Sequence, residues 1–180
     1  MNNSFIYVPA PTIKVEVKSD RKAMTWCVLD IAILNGKPYA LFGADAFTNA
    51  YSGDTDTHAV LPLLGIKKMG LPKPAGLPRP NTTNGGALRG SWSGGKAIAV
   101  PHVQGKTLTS QSIADEKCRR QGLQVLEEDG FRMAEFHDGD QNAGWAGWDF
   151  WAEASAMEVL KISDIRYWVS INDRPSNPWG

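Results

Sequence analysis

The 180-residue chain carries 19 Lys and Arg against 19 Asp and Glu, so its formal net charge is zero, and 42% of its residues are hydrophobic. This balance offers no electrostatic basis for binding nucleic acid or an anionic membrane surface. No apolar run approaches the roughly 20 residues that a membrane helix needs, and the amino terminus lacks the features of a signal peptide. We therefore expect the protein to act in the cytoplasm, to be exported by another route, or to reach the outside in a particle released by lysis.

The first part of the sequence predicts β-strands. Residues 1–11 contain Val-Pro-Ala-Pro and are expected to form an extended arm, because proline disfavours helix in the residue before it. Residues 12–18 alternate apolar and charged side chains, which predicts a half-buried strand. Residues 24–34 are mostly apolar, and Asn35-Gly36 then predicts a hairpin turn, since both residues tolerate positive φ. With a return strand over 38–42, the region 12–68 is predicted to be β-rich.

A stretch rich in proline and glycine follows a short apolar segment at 59–66. It covers residues 69–95, and its composition is typical of an irregular connection. Trp92 and Leu88 give this connection apolar surface to bury. We therefore place the boundary between two parts of the protein at 69–95.

One helix is predicted in the second half, after a strand over 96–102. Residues 110–122 have a helical pattern, with Ser112 as the expected N-cap and Gly122 as the expected stop. Cys118 lies within this helix. The only other cysteine is Cys27, and two such residues fit neither a disulfide scaffold nor a metal motif, so we interpret both as thiols, with a single bridge as the alternative.

Further elements follow the turn at Asp129-Gly130. Residues 131–136, Phe-Arg-Met-Ala-Glu-Phe, mix apolar and charged side chains. Residues 152–160 are compatible with a second short helix, and residues 166–171 have strong β character.

The order of these elements resembles that of the C-type-lectin-like superfamily. The residues that carry the resemblance are a helix containing a cysteine, Gly130-Phe-Arg-Met-Ala-Glu-Phe136, an aromatic stretch, and Tyr167-Trp-Val-Ser-Ile-Asn-Asp173. The chain is most similar to the bacterial and phage branch, which includes formylglycine-generating-enzyme-like domains and phage receptor-binding tips. The resemblance implies an α+β protein in which a C-type-lectin-like domain with few helices and short strands occupies 96–180. It also implies a homo-oligomer, such as a homotrimer.

Five of the seven tryptophans lie between Trp145 and Trp179. Trp145, Trp148 and Trp151 recur every third residue, so on a helix they would share one face and could stack against a sugar ring. Asp149, Asn142 and Glu153 would supply hydrogen bonds to hydroxyl groups. The alternative is that these rings fill the core of a small domain, with at least one of them accessible to solvent.

Two clusters contain candidate metal ligands. Asp138, Asp140 and Asn142 offer oxygen atoms at alternate positions, which suits Ca²⁺, although a polar turn explains the same residues. Asp54, Asp56 and His58 alternate in the same way and form a second candidate for metal or acid–base chemistry, or a polar loop. We predict either no cofactor or Ca²⁺.

The sequence favours a recognition module that binds a cell-surface glycan or a protein receptor, of the kind found in phage or prophage tail tips and fibres. One alternative is a small hydrolase or isomerase that uses Glu135, His137 and Asp138, because residues 135 and 137 would lie on one side of a strand. A second alternative is an intracellular scaffold whose tryptophans grip a partner protein. The sequence contains no phosphate-binding loop or metalloprotease motif.

Overall fold

The computed structural model describes residues 21–79, 90–139, 147–157 and 165–180. The predicted arm at 1–11 and strand at 12–18 lie outside this range. The described residues are mostly β, with one α-helix, α1, at Gln111–Leu126 and one 3₁₀ turn at Gly105–Thr107. The strands are β1 Lys22–Ala23, β2 Thr25–Leu34, β3 Lys37–Gly43, β4 Thr55–Asp56, β5 Val60–Lys68, β6 Trp92–Gln104, β7 Arg132–Met133, β8 Asp149–Glu153 and β9 Arg166–Trp168.

The predicted hairpin is confirmed. Strands β2 and β3 pair in antiparallel fashion from Leu34 opposite Lys37 onwards. Asn35 and Gly36 join them with φ angles of 51° and 75°. Two consecutive residues with positive φ are the signature of the turn whose twist matches that of a hairpin, so local chemistry is sufficient to place this element.

The main sheet joins the two halves of the chain. Its strand order is β6-β8-β3-β2-β9-β5-β7, and β5 also pairs with β6, so six of the strands form a closed ring. Strand β5 ends at Lys68, just before the proline- and glycine-rich residues 69–95, and β6 begins at Trp92 within them. The two strands pair with each other along most of their length. In the described part of the sheet, strands that precede this stretch (β2, β3 and β5) are interleaved with strands that begin in it or follow it (β6, β7, β8 and β9).

The helix begins earlier and ends later than expected. Its N-cap is Ser110, whose side chain accepts a hydrogen bond from the Ile113 amide at 3.3 Å, and not Ser112. It continues past Gly122 to Leu126, and Glu127 adopts the left-handed conformation that ends it. The predicted stop at Gly122 was wrong because this glycine provides space. A Cβ atom there would overlap the ring of the buried Phe131.

This packing predicts the sign of a substitution. Glycine to alanine normally stabilises a helix interior by up to about 1 kcal/mol. We expect Gly122→Ala instead to lower the free energy of unfolding by about 1–3 kcal/mol, because the Phe131 ring must move within a packed core. Urea unfolding of Gly122→Ala and of the double variant Gly122→Ala/Phe131→Ala would check this. A stabilising Gly122→Ala, or one as costly without the ring as with it, would contradict the explanation.

The short helix expected over 152–160 is absent from its described residues: residues 152–153 are the end of strand β8. Strand β8 lies between β3 and β6, and all five of its residues are buried. Its sequence, Asp-Phe-Trp-Ala-Glu, is too short to show a period that would distinguish a strand from the start of a helix. Residues 154–157 then form a turn, in which the Met157 amide donates to the Ala154 carbonyl at 3.0 Å, and residues 158–160 lie outside the described range.

The late strand is shorter than expected: β9 ends at Trp168, although Ser170 still forms a bridge with Glu135. Within 131–136, Arg132–Met133 forms a short strand. Both cysteines are thiols and are not joined in a disulfide. Cys118 lies on the buried side of α1, and its burial raises the pKa of its thiol, whereas Cys27 is only partly buried. Within the described residues, no helix combines the length and apolar character needed to cross a membrane.

Candidate functional site

An open cleft lies beside the 3₁₀ turn, between residues 57–58, the segment 106–109 and the last described residues. Its volume is about 420 Å³, which is in the range of small-ligand pockets. The residues that line it are Arg21, Thr57, His58, Lys106, Leu108, Thr109, Pro178 and Trp179. They combine one indole, two hydroxyl groups, two permanent cations and an imidazole.

Backbone hydrogen bonds centred on Thr57 bring the chain segments of the two cationic residues together. The Thr57 amide donates to the carbonyl of Arg21 at 3.0 Å, and the Lys106 amide donates to the carbonyl of Thr57 at 2.7 Å. Residues 21 and 106 are far apart in the sequence, yet the backbone of each is hydrogen-bonded to Thr57. Thr57 itself is 4% exposed, so this arrangement is anchored in the interior.

Gly105 permits this close approach. A Cβ atom on it would lie 2.7 Å from the buried Trp168 ring and 3.0 Å from the Thr57 carbonyl oxygen. The Trp168 indole in turn donates to the Val103 carbonyl at 3.0 Å. Any larger residue at 105 would push the 3₁₀ turn, and Lys106 with it, away from Thr57.

Trp179 forms part of the cleft because a buried asparagine holds the segment before it. The Asn177 side chain accepts from the Ile171 amide and donates to the Ile171 carbonyl, each at 2.8 Å. The Gly180 amide donates to the Asn177 carbonyl at 3.0 Å. Trp179 is half-buried against the cluster that contains Leu108.

The Arg21 guanidinium lies beside this segment. A Cβ atom on Gly180 would lie 3.2 Å from the guanidinium carbon of Arg21. The positive charge of Arg21 therefore lies beside the residue that follows Trp179 in the chain.

The cations of the cleft are not neutralised within it. Among the described residues, neither Arg21 nor Lys106 has a carboxylate partner, and none of the lining residues is acidic. Asp56 lies behind the imidazole, with Oδ1 2.9 Å from Nδ1 of His58. Hydrogen bonds from the His58 amide and ring hold the pKa of Asp56 below its usual range, so this carboxylate stays charged and orients the ring.

The described residues of the predicted tryptophan surface do not share a helix face. Trp151 is fully buried in β8, where its amide donates to the Ser91 carbonyl at 2.7 Å, and therefore exposes no face for stacking. Trp148 is half-buried, packs edge-on against Phe136 at 4.9 Å and has a φ of 75°. Trp145 lies outside the described residues.

The polar residues predicted beside these rings are also buried. Asp149 accepts a hydrogen bond from the Gly90 amide at 2.8 Å and is 0% exposed. Glu153 is 9% exposed and pairs with Lys37 at 3.5 Å. Asn142 lies outside the described residues. These contacts join strands of the sheet, so Asp149 and Glu153 are held by other parts of the protein.

Of the predicted Ca²⁺ ligands, the structure describes only Asp138. This residue is 3% exposed, and its carboxylate binds the Arg132 guanidinium and accepts from the Glu135 amide at 2.7 Å. Asp140 and Asn142 lie outside the described residues. The Ca²⁺ site stays a prediction.

The acid–base pair suggested by the sequence is present, in a turn and not in a strand. His137 Nδ1 lies 2.9 Å from Glu135 Oε1, and the same carboxylate accepts from the His137 amide at 2.8 Å and from the Asn172 amide at 3.0 Å. These contacts fix Glu135 in place. Asp138 is directed at Arg132 and not at the imidazole.

The three alternating residues Asp54, Asp56 and His58 separate. Asp54 turns inward, where it accepts from the Thr25 hydroxyl and lies 3.7 Å from Arg166. Asp56 and His58 form the exposed pair beside the cleft. Within the part of the chain that the structure describes, no three His, Cys, Asp or Glu side chains are grouped so that they could hold a metal ion.

Sequence reasoning did not predict the cleft. Its residues come from positions 21, 57–58, 106–109 and 178–179, and no spacing links them. The feature of the sequence that pointed toward the cleft was its high number of tryptophans, which include Trp179. No protein-family model, curated protein or solved structure matches the chain.

Proposed function

We propose that this protein is a recognition module that attaches to a glycan or a protein receptor on a cell surface, as phage and prophage tail tips do. The observation that carries the proposal is the open cleft in which the Trp179 indole lies beside Arg21, Lys106 and the Thr109 hydroxyl. Sugars have an apolar C–H face and a polar rim, and an aromatic ring flanked by hydrogen-bond donors is complementary to both.

The C-type-lectin-like architecture over 96–180, and the homotrimer it implies, belong to this proposal. The element order α1, β7, β8, β9 is compatible with the resemblance carried by Cys118, Phe131 and Tyr167. The mostly β fold with one helix is likewise compatible with it. Light scattering of the purified chain would test the oligomeric state.

Binding of the fluorescently labelled protein to a glycan array and to whole bacterial cells tests the function. We expect saturable binding that Trp179→Ala reduces at least about tenfold, since truncation of a tryptophan that anchors a binding site commonly costs about 2 kcal/mol. Phe47→Ala is the matched control, because Phe47 is an aromatic residue with 78% exposure outside the cleft.

Which variants lose binding shows where the binding site lies. Loss in Trp148→Ala but not in Trp179→Ala would move recognition to the segment 141–153. Equal loss in Trp179→Ala and Phe47→Ala would indicate non-specific apolar adhesion. Absence of binding to any glycan or cell would overturn the proposal.

A second candidate is acid–base catalysis by His137 and Glu135, favoured by their 2.9 Å contact and by the 40% exposure of the His137 side chain. A carboxylate that holds an imidazole is a common arrangement for a general base. Turnover of chromogenic ester or glycoside substrates that is lost in His137→Gln would support it. Turnover that is retained in His137→Gln would exclude this pair.

A further inference from the structure

We infer that the cleft selects an anionic saccharide, a sugar ring that carries a carboxylate or phosphate group, through Arg21 and Lys106. This inference rests on the proposed function and names the ligand class of the same site. The shared chemistry is a ring that stacks on Trp179 and an anion that binds the two cations.

Neither Arg21 nor Lys106 has an ion-pair partner among the described residues. Most other basic side chains in the described residues form ion pairs with carboxylates; these are Lys37, Lys67, Lys68, Lys96, Arg119, Arg120, Arg132, Arg166 and Arg174. Lys22, Lys73, Arg79 and Lys117 also lack an ion-pair partner among the described residues, but they do not line the cleft. Within the described residues, the cleft is lined by two cations that have no carboxylate partner and by no acidic side chain, which favours a local positive potential in a protein with no net charge.

The backbone segments that carry the two cations are held by hydrogen bonds. The Arg21 carbonyl and the Lys106 amide bond to Thr57 at 3.0 and 2.7 Å, and Gly105 admits the 3₁₀ turn close to Thr57 and Trp168. Both cationic side chains are exposed and can turn toward an anion, and charge-assisted hydrogen bonds to arginine and lysine are the stronger kind. The guanidinium can also bind a carboxylate or phosphate through two parallel hydrogen bonds.

The indole and the charges belong to one cleft. The Arg21 guanidinium lies beside Gly180, where a Cβ atom would be 3.2 Å from its carbon, and Trp179 packs against the cluster that contains the buried Leu108. A free inorganic anion would use only the cations. A neutral sugar would use only the indole and hydroxyl groups, and would leave both charges without a counter-ion.

A titration with matched ligands tests the inference. The probes are an oligogalacturonate, the same oligomer with its carboxyl groups reduced to alcohols, glucose 6-phosphate and inorganic phosphate, with tryptophan fluorescence or calorimetry as the readout. We expect the oligogalacturonate to bind at least about tenfold more tightly than the reduced oligomer, and Arg21→Gln and Lys106→Gln each to weaken it by about tenfold. Higher salt should weaken it as well.

Two variants control for the loss of a charge elsewhere. Arg120→Gln removes a guanidinium that is 76% exposed on α1, and Lys37→Gln removes an ammonium that is 60% exposed. Neither lines the cleft, so both should bind as the unmodified protein does. Trp179→Phe keeps a ring in place should Trp179→Ala unfold.

The outcomes distinguish failure of the inferred charge selectivity from failure of the proposed recognition function. Binding of glucose 6-phosphate but not oligogalacturonate keeps the anionic class and identifies phosphate as its source. Equal binding of charged and reduced oligomers, lost in Trp179→Ala, would overturn the charge selectivity and leave the glycan function standing. Attachment to cells with no saccharide binding would overturn the inference in favour of a protein receptor. Failure to bind cells and saccharides alike would overturn both.

Discussion

Replacing Arg166 with methionine is expected to lower the free energy of unfolding by about 2 kcal/mol or more, because the half-buried carboxylate of Asp45 and the buried carboxylate of Asp54 lose their charged partner. The guanidinium donates to Asp45 at 2.7 Å, to the Thr25 hydroxyl at 2.6 Å and to the Thr48 hydroxyl at 2.9 Å. Asp54, 8% exposed, lies 3.7 Å away. Methionine retains most of the side-chain volume and removes the charge, so two carboxylates would remain in a poorly hydrated cluster.

Urea unfolding of Arg166→Met measures this cost. The matched control is Arg120→Met, whose ion pair with Glu116 is exposed and should be worth less than about 1 kcal/mol. A difference of under about 1 kcal/mol between the two variants would show that the Arg166 cluster is no more important than a surface pair.

The pH dependence provides a second check on the same cluster. Burial by itself would raise the pKa of Asp45, but the hydrogen bond and charge of Arg166 more than offset it and lower that pKa. A folded-state pKa below the unfolded value contributes stability that is present above the unfolded pKa, about 3.9, and is lost as the pH falls through the folded one. Without Arg166, protonation of Asp45 relieves an unpaired charge. The cost of Arg166→Met should therefore be smaller at about pH 3 than at about pH 7.

The second large effect is expected at the start of β6, where two adjacent glycines serve different purposes. A Cβ atom on Gly95 would overlap the Lys67 carbonyl oxygen, part of the backbone of the neighbouring strand β5. Gly94 has a φ of 77°, but a Cβ atom placed on it would have no neighbouring atom nearer than 3.7 Å. Gly95 is thus required for space and Gly94 for backbone conformation.

Three substitutions distinguish these purposes by urea and thermal unfolding. We expect Gly95→Ala to cost about 3 kcal/mol, because a strand pair must separate to admit the methyl group. Gly94→Ala should cost about 1 kcal/mol, the usual strain of a left-handed residue, and Gly94→Asn less, since asparagine tolerates that conformation. Should Gly94→Ala prove more damaging than Gly95→Ala, the assignment of the two roles would be reversed.

Gly95 and Gly122 illustrate what the local sequence does not reveal. Nothing near Gly95 distinguishes it from Gly94, since the reason for Gly95 is a carbonyl on another strand. In the same way Gly122 has the features of a helix stop, and only the ring of Phe131 explains why the helix continues past it.

The candidate site depends on tertiary structure to a greater degree. Arg21, Lys106 and Trp179 are brought together by the Thr57 hydrogen bonds and by the Asn177 side chain, and each of these links residues that no periodicity connects. The tryptophan cluster was visible in the sequence, but which rings are covered depends on the neighbours of β8. Trp151 is fully buried because β3 and β6 flank its strand.

The hairpin at Asn35-Gly36, the existence of the helix around Cys118 and the β-rich character of the chain follow from the amino-acid sequence alone. Each depends on preferences that operate over a few residues, such as positive φ, capping and side-chain periodicity. The identity of β8, the extent of α1 and the assembly of the cleft were decided by the folded protein. Their causes are contacts between distant segments, and free energies of packing and of backbone pairing across the sheet exceed the local preferences that the sequence displays.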